Sequence, residues 1–154
     1  MYNFSHTLQR IIILSSEYEQ ARNIAYNHRT KLIGKFKFLF NQLGYTDSGC
    51  AFELTQHAIK RGFIPERKPL DGSALDRMEH GTTKLPIWAS KAMAELLLNN
   101  DYTPKSEAEY ASLGWLWLEA KGPFSSLEDA LNSFPIGLDR EMIKKYVTLF
   151  YEDG

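Results

Sequence analysis

The stretch KLPIWASKAMAELLLNNDYTPKSEAEYASLGWLWLEAKGP, residues 84–123, reads as two helices in succession. Its apolar residues recur at intervals of three and four. Trp88, Ala89, Ala92, Met93, Leu96 and Leu97 mark the first half; Ala108, Ala111, Trp115 and Leu118 mark the second. That spacing is the period of a helix face, and no sustained alternation competes with it. A proline opens each half: Pro86 and Pro104 suit a helix entrance, where a missing N–H costs nothing, and Thr103 reads as a cap. Asn99-Asn100-Asp101 closes the first helix and Gly122-Pro123 the second.

The same pattern extends in both directions. Upstream, no Gly or Pro interrupts residues 5–33, and Leu8, Ile11, Ile12, Ser15, Tyr18, Arg22, Ala25 and Tyr26 trace one face of a long helix capped by Ser5. Leu32, Phe36, Leu39, Phe40 and Leu43 mark a second helix over 31–43, with Gly34 as a bend or close approach and Gly44 as its stop. A third helix is expected over 50–61, ended by Gly62. Residues 63–72, with Pro65, Pro69 and Gly72, form the clearest connector. A single helical domain is the expectation; any division into two lobes would fall at 62–72. A short helix over 74–79 is expected behind a Ser73 cap. Downstream, Ser125 with Glu128 reads as a capping box for a helix over 127–134, and Asp139 caps a last helix from Arg140 to about Tyr151. The spacing therefore predicts a compact all-α domain of seven or eight uneven helices. Its large buried residues are expected to be Leu8, Ile12, Phe36, Leu39, Phe52, Ile59, Trp88, Leu96, Trp115, Ile143 and Phe150.

Composition fits a globular chain: of 154 residues, 44% are apolar and 24% charged, enough for a core without a disordered balance. The net charge of -1 hides a gradient. Residues 1–70 hold ten Lys and Arg against five Asp and Glu, while residues 71–154 hold eight against fourteen. The basic half can face an acidic partner, or the two halves can attract each other. Cys50 stands alone, which leaves no internal disulfide and no Cys-based metal cluster, so a reducing cytoplasmic setting is expected. The run Ile11–Leu14 is too short for a signal core or a membrane span.

No sequence pattern assembles a catalytic centre. Cys50, Glu53 and His57 fall on one helix face, and the helix N-terminus would lower the thiol's pKa, yet Cys and His are about 10 Å apart along the axis. A buried Cys with a half-buried His is the plainer reading. His80, beside Asp76 and Glu79 in a polar loop, offers acid–base chemistry without any accompanying nucleophile or phosphate loop. No cofactor or metal is expected. Trp115 and Trp117 diverge by roughly 200° on a helix, so one can enter the core while the other faces a second helix, a partner or solvent; core burial of both, in a globule with layers on more than one side, is the plainer reading. The expected function is a non-enzymatic protein-interaction module: an adaptor, regulator, inhibitor or effector-neutralising protein. Its binding surface would include Trp117 or the basic stretch Arg29, Lys31, Lys35 and Lys37, facing a protein that carries acidic groups. The alternative is a DNA- or RNA-binding regulator using a helix-turn-helix over 125–151 with Arg140, Lys144 and Lys145. A small enzyme or ligand-binding protein comes third.

Overall fold

A computed structural model describes the backbone of residues 4–153 and the side chains of residues 16–151. Among these residues the chain is all-α: α1 (Phe4–His28), a 3-10 turn (Arg29–Lys31), α2 (Leu32–Gln42), α3 (Asp47–Lys60), α4 (Gly72–Glu79), α5 (Ile87–Asn99), α6 (Glu107–Lys121), α7 (Leu127–Asn132) and α8 (Arg140–Asp153). The Ser5 cap and the side chains of Leu8 and Ile12 lie outside the described residues.

The organising element is α6. Every residue from Glu109 to Trp117 is buried, the signature of a helix enclosed on all sides. It packs against α1, α5 and α8, while α3 packs on α5 and α7 on α8. This enclosure corrects the expectation for Trp117. Its side is covered by α7 and the turn that follows, so both tryptophans enter the core. Trp117 is 3% exposed, packs its ring 5.5 Å from that of Phe134, and donates from Nε1 to Ser133 Oγ at 3.0 Å. Trp115 meets Tyr26 of α1 edge-on at 6.3 Å.

The buried residues from Ala21 to Phe150 form one contiguous cluster. Phe36, Trp115, Ile143 and Phe150 are buried in it, with Leu39, Trp88 and Leu96 packed at its margin and Ile59 half-buried. Phe52 is the exception at 48% exposure. The inward face of α3 is set by Cys50, Ala51, Leu54, Thr55 and Ala58, and Phe52 falls outside that arc.

Local chemistry moves several helix starts from their expected positions. Asp71, rather than Ser73, caps α4, accepting from Ala74 N at 2.8 Å. Ser106, rather than the Thr103-Pro104 pair, caps α6 through Glu109 N. Ser126 caps α7, while neighbouring Ser125 donates to the Asp129 carboxylate at 2.5 Å. In each case the oxygen three residues before a free N–H is the one that can reach it. The Asp139 cap stands where the sequence places it, accepting from Glu141 N and Met142 N. Gly34 is a close approach: a Cβ there would meet the Glu79 carboxylate at 3.1 Å.

Candidate functional site

The structure divides the expected basic stretch among three environments. Arg29 is buried: its Nη1 donates to the Leu85 carbonyl at 2.5 Å and to Ser90 Oγ at 2.8 Å, and its guanidinium lies 4.2 Å from the Tyr26 ring centroid. It ties the 3-10 turn to the start of α5 and cannot contact a partner, which corrects its expected role. Lys37 is mostly buried and committed. Its Nζ bonds Glu79 at 2.7 Å and lies 3.7 Å from both Asp47 and Asp76. Burial opposes its charge, but the Glu79 hydrogen bond and the three carboxylates outweigh burial and raise its pKa. Only Lys31 and Lys35 stand exposed.

Lys31 borders a small hollow that adjoins a larger concave surface, and no local sequence pattern marks either. Between α1 and α8 runs an open groove of about 800 Å³, walled by Glu17, Gln20, Ala21 and Ile24 on one side and by α8 residues from Glu141 to Leu149 on the other. Ile24, 46% exposed, also lines an adjoining hollow with Asn27, His28 and Lys31. Glu17 and Ile24, seven residues apart, follow one face of α1, and Lys31 lies in the 3-10 turn that continues it. Ala21 gives the groove depth, and Ile24 and Leu149 give it an apolar surface. Lys144 and Lys145 face Glu17 and Glu141 across it, with Lys145 paired to Glu107, and Lys31 lies at the adjoining hollow. Burial lowers the pKa of His28, beside Lys31, and so favours its neutral form.

A second polar constellation forms where α3, α5 and α6 meet. Glu95 is completely buried, and three basic side chains converge on it: His57 Nε2 at 2.9 Å, Arg61 Nε at 2.9 and 3.1 Å to its two oxygens, and Lys121 Nζ at 3.1 Å. Burial alone would push this carboxyl up. The hydrogen bonds from His57, Arg61 and Lys121 reverse that and hold its pKa at about 2. The signal for Glu95 is present in the sequence: a lone acid within the apolar run Ala92–Leu98 requires partners if that run is buried. His57 near the end of α3 and Arg61 at its C-cap, four residues apart, supply two of them.

The Cys50–Glu53–His57 row does not act together. His57 turns to Glu95, while Cys50 is buried in the first turns of α3 with its thiol 3.9 Å from Asn41 Oδ1. Burial, aided by the Asp47 charge, raises the thiol's pKa, opposite to the expected helix-terminus effect. Asp76, Glu79 and His80 bring three potential metal-ligand atoms within 4.8 Å of one another, but the Lys37 ammonium already pairs with two of these side chains. The expected helix-turn-helix is altered as well. Arg140 is turned back to the carbonyls of Leu131, Phe134 and Pro135, and Lys145 pairs with Glu107 at 2.9 Å. Comparison with models of known protein families, with curated proteins and with solved structures gives no match.

Proposed function

We propose that this chain is a protein-interaction module that receives an amphipathic helix of a partner protein in the groove between α1 and α8, with acidic residues flanking the partner's apolar stripe. The observation that carries the reading is the exposed Ile24 in a long concavity between two helices. A third helix laid along such a groove buries apolar side chains spaced at i, i+3 and i+7 while its own backbone stays satisfied. Lys144 on the α8 wall has no ion-pair partner among the described residues, and Lys31 stands at the adjoining hollow, so acidic flanks on the partner meet these two charges. Lys31 keeps the role expected for the basic stretch; Arg29, Lys37 and Trp117 do not contribute.

Site-directed photocrosslinking tests this reading. A photoreactive residue replaces Ile24 in one preparation and Phe38, exposed on α2, in another, and the crosslinked segment is identified by mass spectrometry. The expected result is one protein segment captured from position 24 and not from 38, with an acidic amphipathic helical pattern, and lost when Lys144 and Lys145 are both changed to Glu. Equal adducts from both positions, or a captured segment without that pattern, would overturn it. Recovery of nucleic acid whose retention falls steeply with salt would favour the DNA- or RNA-binding alternative.

A further inference from the structure

The Glu95 cluster carries more positive charge than its burial requires. One carboxylate balances one cation, yet Arg61 and Lys121 both bond it, with His57 as a third donor. Lys91 adds to the excess: its Nζ lies 4.4 Å from the Phe63 ring centroid, the ring that the Arg61 guanidinium also approaches at 5.3 Å. Among the described residues, no other carboxylate lies within ion-pair distance of Arg61, Lys91 or Lys121. The formal surplus is two positive charges before His57 is counted, on a chain whose net charge is -1.

Exposure within the cluster is graded. The Glu95 side chain is 0% exposed, whereas His57, Lys121 and Arg61 are 18%, 31% and 35% exposed. The acid therefore lies beneath the bases, with both oxygens engaged. Donors remain above it. Arg61 spends Nε on Glu95 and Nη2 on the Ala120 carbonyl, leaving Nη1 uncommitted, and Lys121 has further N–H bonds beyond the one it gives Glu95. The Lys121 ammonium itself lies over the Trp117 ring, 4.8 Å from its centroid.

We propose that Arg61, Lys121 and Lys91 form a surface site for a phosphate-type dianion, carried either by a phosphorylated side chain or by a free phosphate. A tetrahedral dianion matches the charge surplus, and its oxygens accept from a guanidinium edge and an ammonium together. Glu95 is the positioning residue. By fixing Arg61 and Lys121 before the anion arrives, it removes part of the side-chain ordering cost of binding. The site shares no residue with the α1–α8 groove and stands independently of it.

Titration of the full isotope-labelled chain with sodium phosphate, against sodium chloride at matched ionic strength, tests the site by NMR. The expected result is saturable movement of the Arg61 side-chain N–H signal with phosphate and none with chloride. Lys121→Met and Lys91→Met should each weaken phosphate binding about tenfold, the loss of one charge-assisted contact. Lys91→Met leaves Glu95 and its partners in place, so its melting temperature should match the parent and keep the test independent of folding. A phosphoserine peptide that binds more tightly than phosphate would identify a phosphorylated chain as the source, and equal or weaker binding would identify free phosphate. Non-saturating shifts that chloride reproduces, or Lys91→Met and Lys121→Met variants that both bind phosphate like the parent, would overturn the site.

Discussion

Replacing Glu95 by Gln isolates the contribution of this buried carboxylate to stability. The carboxyl titrates at about 2 in the folded chain against an ordinary 4.5. At roughly 1.4 kcal/mol per pKa unit this difference amounts to about 3 kcal/mol, and screening at the partly exposed bases reduces it to about 2–3 kcal/mol. Because the folded value lies below the unfolded one, the stabilisation is complete above the ordinary value and is lost as pH falls toward the folded value. Gln cannot titrate, so its variant lacks this dependence. Urea unfolding of both proteins at a series of pH values measures the effect. The parent should exceed Glu95→Gln by a constant margin near neutral pH, and that margin should shrink by about 2–3 kcal/mol as the pH falls toward about 2.5. A margin independent of pH over this range would refute the pairing of Glu95 with His57, Arg61 and Lys121.

Trp117→Ala should cost about 3–5 kcal/mol in chemical unfolding, because the indole is enclosed by Phe134 and Ser133. Phe52→Ala should stay within about 0.5 kcal/mol, since nearly half of that side chain already meets water. Asp71→Ala should destabilise by about 1 kcal/mol through loss of the α4 cap, while Ser73→Ala leaves stability unchanged; thermal melts of the two variants separate these outcomes.

The helices were legible because their period, their prolines and their glycine stops agree with one another. Pro86 precedes α5 as expected, although it occupies the cap position instead of the first helical one, and Gly44 and Gly62 adopt the positive φ that ends α2 and α3. The caps were less legible. Serines and acids crowd each helix entrance, and only backbone geometry decides which oxygen reaches the free N–H. The fate of Trp117 was beyond a single-helix argument, since a divergence of 200° separates core from surface only when one side of the helix is open, and α6 has no open side. The fate of Arg29 depended on a carbonyl 56 residues away. The groove arises from two helices brought together from opposite ends of the chain, so no local pattern marked it. Glu95 went unread although a lone acid in an apolar run calls for bases, since His57, Arg61 and Lys121 come from other elements.

Mapping amide shifts tests whether a partner helix docks between α1 and α8. The labelled chain is titrated with a synthetic peptide of the segment captured from position 24, and the displaced signals are placed on the structure. Saturable shifts should concentrate at residues 17–28 of α1 and 141–149 of α8 and vanish in Ile24→Glu. Shifts centred on Phe38, on Phe52 or on the 62–72 connector, or an Ile24→Glu chain that binds the peptide like the parent, would contradict it.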